Sequence, residues 1–232
     1  MDDPNIFLIK VVAIVFHVWL LKWMFSFYKE MKNKQGLRYE AIFNRMAWAP
    51  KVYVWLLPLT LVYIIFQASK GQLSHFNIST PTYSLLYSLM GLAATLVTLY
   101  TAYIGLLFFT QSFPNLPNYY VWSIRLGILI FVIFSFEGGL MGSRMNHSVG
   151  AINDNSNWWI VGWSKTVGDL RVSHFIGMHA LQLLPLLSFY VFKNAKITII
   201  ISIFYGLLAT STLVQALNGK PLITQNKLKE SE

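Results

Sequence analysis

The chain has 232 residues, of which 55% are hydrophobic and 12% charged, with a formal net charge of +9 and no cysteine. Soluble domains carry about 25% charged residues, so composition argues against a water-exposed globular surface and for a polytopic membrane protein. The missing cysteine excludes thiolate metal sites, iron–sulfur clusters, Cys-x-x-Cys-His haem attachment and disulfides, and the basic residues sit in loops beside apolar runs rather than in an aromatic-interleaved nucleic-acid groove.

The first residues, Met-Asp-Asp-Pro-Asn, are acidic, and the apolar run behind them has no small-residue cleavage site. A retained first helix is therefore expected from Ile6 to Tyr28, with Lys10 and His17 two turns apart on one face. A basic loop follows over 29–50, with Lys29, Lys32, Lys34, Arg38 and Arg45, and Lys51 just beyond. This is the strongest topology signal in the chain and places the loop in the cytoplasm. Leu37, Ala41, Ile42 and Trp48 within it have the spacing of a helix lying on the membrane.

A second helix is expected over 51–68, containing Pro58, and then an outer loop with an exposed His75. A third, over 82–109, is rich in Thr and small residues, which let membrane helices approach and bond across their interface. Pro114 and Pro117 mark the next turn. A fourth helix, over 119–145, carries Arg125 and then Glu137, Met141 and Arg144 on one face, with Gly138 and Gly142 adjoining. The loop over 148–168 ends in interfacial aromatics, Trp158, Trp159 and Trp163.

The fifth helix, over 169–192, concentrates the polar residues: Asp169, Arg171, His174, His179 and Gln182, with Pro185 after them. A charge at the centre of a membrane helix costs about 2.5–3.5 kcal/mol on the insertion scale, so these groups are expected to face protein or a wet cavity. A sixth helix over 196–217 stops at Gly219 and Pro221. The expected fold is thus all-α, a single transmembrane domain of six helices over 1–232. Six spans leave both termini on one side, outside if the basic loop is inside.

Helix order alone puts Glu137, Arg144 and His147 at the same depth as Asp169, Arg171, His174, His179, Gln182, Gln215 and Asn218, with His17 at or above the midplane. His174 and His179 are five apart, about 140° around the helix, and do not chelate one ion as an i, i+4 pair would. Three chemistries suit this set. A b-type haem needs one His from each of two helices, His17 with His179 or His147 with His174. Copper, iron or zinc would take His147, His174 and His179, with Glu137 as a further ligand. A proton or substrate relay would run through Glu137, the histidines and Arg171 without a cofactor. The structural alternative pairs Glu137 with Arg144 or Arg171, and Asp169 with Arg171, to fix helix register.

The run Glu137-Gly-Gly-x-Met141-Gly, then Asn146-His147-x-Val149-Gly150, then Gly168-Asp169-Leu-Arg171-x-x-His174-Phe-x-Gly177-x-His179-Ala-Leu-Gln182-x-Leu-Pro185, resembles a set of uncharacterised bacterial polytopic membrane proteins. That resemblance covers roughly the C-terminal half, implies a bacterial inner membrane, and brings no assigned activity. No phosphate-cradling glycine loop, Gly-x-Ser-x-Gly elbow or His-Glu-x-x-His is present.

The leading expectation is a haem- or metal-binding redox protein. His17, His174, His179 and Gln182 would hold the cofactor, or His147, His174 and His179 a metal. Glu137 would ligate or transfer protons, and Arg171 would bind an anionic group. A proton-coupled transporter using the same residues is the alternative, and an assembly subunit of a larger membrane complex is a third. The expected surroundings are the lipid bilayer and a redox partner or other membrane subunit.

Overall fold

Apolar helices account for most of the described residues. The computed structural model describes Lys22 and residues 60–150, 157–158 and 161–223. The chain divides into two units, Met1–Val54 and Trp55–Glu232, and apart from Lys22 the described structure belongs to the second. The first expected helix, with Lys10 and His17, the basic loop and the start of the second helix lie outside the described residues.

Helix α1, Thr60–Ser69, is apolar and short. It stops where Gly71 takes a φ of 66°, a conformation that costs glycine nothing. Helix α2, Pro81–Thr110, begins on Thr80, whose side chain accepts from Tyr83 N at 3.2 Å, with proline in the first turn. Helix α3 is Asn118–Arg144 and ends at Met145, which adopts the left-handed conformation. Strands β1, Ser148–Val149, and β2, Gly168–Asp169, pair antiparallel, with Ser148 opposite Asp169. Helix α4, Leu170–Leu187, follows β2 without a break and runs into a π-helical turn, Ser188–Phe192. Helix α5, Ala195–Leu217, starts on Asn194, whose side chain accepts from Ile197 N.

Among the described residues, four helices are long and apolar enough to cross a membrane: α2, α3, α4 with its π turn, and α5. These four correspond to the third to sixth spans read from the sequence, and α1 is the described part of the second. The side chains are arranged for lipid. Leu129, Ile133, Phe136 and Leu140 on α3, and Ile200, Ile203, Phe204 and Leu207 on α5, are all exposed. Ser123, Ser173, Ser188, Thr198, Ser202 and Thr212 are buried instead. Small hydroxylated residues inside and large apolar ones outside is the distribution expected where the solvent is hydrocarbon.

Helices α3 and α4 share the most extensive contact among the described elements. A Cβ on Gly177 would overlap the Phe134 ring, and one on Gly127 would come within 3.0 Å of the Ala180 carbonyl. Phe134, Ile130, Ala180, Leu184 and Ala209 form the core that joins α3, α4 and α5. Polar bonds tie the same helices: Tyr205 Oη donates to Ile176 O at 2.6 Å, and Ser188 Oγ donates to Tyr119 O at 3.0 Å. A second cluster, Met141, Leu170 and Ala216, with Phe76 against it, closes the end where α3 and α5 finish and α4 begins.

Candidate functional site

That end is organised by Asp169. Its side chain caps α4, accepting from Arg171 N at 3.0 Å, and also accepts from Ser164 N at 2.9 Å. The Arg171 guanidinium folds back on it, with Nη2 at 2.6 Å and Nε at 2.9 Å. Arg171 Nη2 also donates to Gly162 O at 2.5 Å. The side chain of Asp169 is 1% exposed and that of Arg171 34%. Burial pushes the Asp169 carboxyl up. The hydrogen bonds from Arg171 and Ser164 and the Arg171 charge outweigh it and hold the carboxyl below the usual carboxylate range.

Local sequence explains this knot. An Asp directly before an apolar run is an N-cap signal, and an Arg two residues on can reach back to it. Ser164 Oγ accepts from Thr166 N and Val167 N, which turns the chain toward β2. Gly162, just before this turn, takes a φ of 66°, which suits glycine. Gly168 lies so close to α5 that a Cβ would overlap the Ala216 carbonyl. The knot therefore locks the loop, the start of α4 and the end of α5 together.

About one helical turn deeper lies Glu137, on α3, whose side chain is 5% exposed. Ser173 Oγ shares its one proton between Leu170 O at 3.0 Å and Glu137 Oε1 at 3.3 Å, and His174 Nδ1 is 3.4 Å from Oε2. His174 Nδ1 also bonds Phe134 O at 2.7 Å. A carbonyl only accepts, so Nδ1 carries the ring proton and Nε2 is the lone-pair nitrogen. Oε2 of Glu137 is buried without a hydrogen bond. Gly138 makes the arrangement possible, because a Cβ there would stand 2.8 Å from His174 Cε1. Glu137 is seven residues from the end of α3, about 10 Å along the axis, and so lies within the spanning segment.

The remaining expected residues are dispersed. The His147 carbonyl accepts from Leu170 N at 2.9 Å, which ties the start of α4 to the end of α3. The His147 ring is half-buried; burial first and the Arg171 charge second push its pKa down, against a smaller opposing pull from Asp169. His179 is exposed, its Nδ1 donating to Phe175 O at 2.7 Å and its ring against that of Phe175, which Trp163 meets edge-on. Gln182 is exposed, as is Arg144. Among the described residues no group of three or more His, Asp or Glu side chains could hold a metal ion. Arg171 is held by Asp169 and Gly162 rather than by Glu137. Asn218 Nδ2 bonds Val214 O, and Gln215 Nε2 donates to the carbonyls of Pro221 and Leu222.

Sequence reasoning did not single out Ser173, Ser164 or Phe134, each of which supplies a bond to the polar residues. Only Ser164, three residues before a buried valine and five before the cap, carries a local turn signal. The chain matches no family model, no curated protein and no solved structure.

Proposed function

We propose that this is a proton-linked protein of a bacterial inner membrane, with Glu137 and His174 as its proton-binding pair. The observation that supports this reading is the buried Oε2 of Glu137, unbonded and 3.4 Å from the protonated nitrogen of His174. Ionisable groups inside a span are functional candidates by default. A proton arriving at Nε2 converts the ring to a cation. Nδ1 then releases its proton to Oε2, leaving Glu137 neutral and His174 in its other neutral tautomer. A few tenths of an ångström closes the gap to the 2.6–3.2 Å or so over which such transfers occur. In this reading the basic loop is cytoplasmic and both termini are extracytoplasmic.

The test is isotope-edited infrared spectroscopy of the reconstituted full chain across a pH series. A protonated-carboxyl band that titrates, vanishes in Glu137→Gln and shifts its midpoint in His174→Gln supports the pair. No such band, or a midpoint indifferent to His174→Gln, refutes it.

One observation favours a haem or metal reading as well. Both α4 imidazoles place Nδ1–H on a backbone carbonyl and keep Nε2 for another partner, which is how ligating histidines are oriented. A visible spectrum with and without dithionite, and elemental analysis, decide it. A Soret band or stoichiometric metal lost in both His174→Ala and His179→Ala would establish that role, and a colourless, metal-free protein purified without chelators would end it.

A further inference from the structure

The opposite end of the bundle holds an arginine that bonds no carboxylate among the described residues. Arg125 lies on α3 seven residues from its start, about 10 Å into the helix. Its Nε donates to Phe108 O at 2.7 Å, a carbonyl in the last turn of α2 that has no helical partner. Its Cζ lies 5.0 Å from the Trp122 ring centre and 5.6 Å from that of Phe109. Guanidinium has five N–H donors, and these contacts use one of them in a hydrogen bond.

The described acids are Glu137 and Asp169. Glu137 is twelve residues along α3 from Arg125, about 18 Å away, and Asp169 belongs to the same far end. The other described cations at this end of the bundle are Lys193, which follows the π turn that Ser188 fastens to Tyr119, and Lys196 in the first turn of α5. This end is therefore positive among the described residues. Beside Arg125, under the α2–α3 turn, is a cavity of about 200 Å³. Ser112 and Asn118 are its other polar walls, with Phe113, Leu116 and Val121 as apolar ones. About 10–15 Å³ of such space is enough for one water, so the cavity has room for several waters, or for a phosphate group with part of what carries it.

We propose that this cavity binds the phosphate group of an anion, and that the anion is the headgroup of an acidic phospholipid. The four terminal N–H groups of Arg125 match phosphate oxygens in charge and in forked geometry. Asn118 and Ser112 add neutral donors. Leu116, Val121 and Phe113 suit the first carbons of a glycerol or acyl chain. The site sits at the end of two spanning helices, where headgroups lie. Arg125 thereby holds two things at once, the open end of α2 and a lipid.

The experiment is native mass spectrometry of the full chain in detergent with phosphatidylglycerol, with phosphatidylcholine, whose choline neutralises its phosphate, and with inorganic phosphate. The wild type retains phosphatidylglycerol about tenfold more than phosphatidylcholine, the scale of a charge-assisted hydrogen bond, and Arg125→Gln and Ser112→Asp remove the preference. Ser112 is exposed and outside the helices, so Ser112→Asp tests the cavity even if Arg125→Gln does not fold. Inorganic phosphate bound by the wild type but not by Ser112→Asp, without a lipid preference, would assign the cavity to a free anion. Equal retention of the two lipids with no phosphate bound, or a preference that survives Ser112→Asp, overturns the proposal.

Discussion

Replacing Asp169 with Asn changes one buried charge and almost no volume. The carboxylate accepts from Ser164 N, Arg171 N and two nitrogens of the Arg171 guanidinium, and its side chain is 1% exposed. Hydrogen bonds to charged groups contribute about 1.5–3 kcal/mol each. The amide keeps one acceptor oxygen but turns an N–H₂ toward Arg171 or Ser164, so at least one charged bond is lost and one donor left facing another. Arg171, with a third of its side chain in contact with solvent, recovers part of this by hydration. The balance is a loss of about 2–3 kcal/mol. For a chain of this size each kcal/mol moves the unfolding midpoint by about 2–4 °C, so Asp169→Asn should lower it by about 5–10 °C in a thermal scan of the detergent-solubilised protein. The wild type should lose the same contribution in acid. The folded-state pKa is depressed, so the stabilisation is complete above the unfolded value of about 3.9 and disappears as pH falls through the lower folded value. Asp169→Asn should be flat across that window. A variant whose midpoint falls by under about 2 °C would show that the knot does not carry the end of the bundle.

Gly177→Val should prevent α3 and α4 from meeting, since the added carbons overlap Phe134. Overpacking costs about 1–3 kcal/mol, and a crosslink between a pair of cysteines introduced on facing positions of the two helices, formed readily in an otherwise wild-type chain, should fall away when Gly177→Val is added. His147 should titrate below about 6.5 by NMR. Because the folded state disfavours its charge, stability should drop as pH falls from that value through the lower folded one, and His147→Gln should abolish the drop.

Much of the scaffold can be read from caps and apolar length. Helix α3 lies at Asn118–Arg144 against 119–145 from the sequence, and α5 at Ala195–Leu217 against 196–217. The Asp169–Arg171 pair is local, two residues apart at a helix start, and is legible for that reason. Glu137 with His174 is not, because it depends on which faces of two helices meet. That is decided by Gly177 receiving Phe134 and Gly138 making way for His174. Gly138 and Gly142 illustrate the limit. Their spacing suggests one small-residue face, but Gly138 lies against His174 of α4 whereas Gly142 lies 3.4 Å, measured from a Cβ position, from the hydroxyl of Tyr87 on α2. Periodicity shows that a helix can be approached, and a single chain leaves open which neighbour does so.

The close fit of Gly168 under the Ala216 carbonyl sets an order on biosynthesis. Asp169 and its loop are made some fifty residues before the segment that covers them, as their numbers show. Until the last helix is inserted, the strand that precedes α4 has no lid on one side. The polar end of the bundle is thus a late seal, and a ribosome that stops short of α5 leaves α2, α3 and α4 without their last apolar neighbour and with that end open.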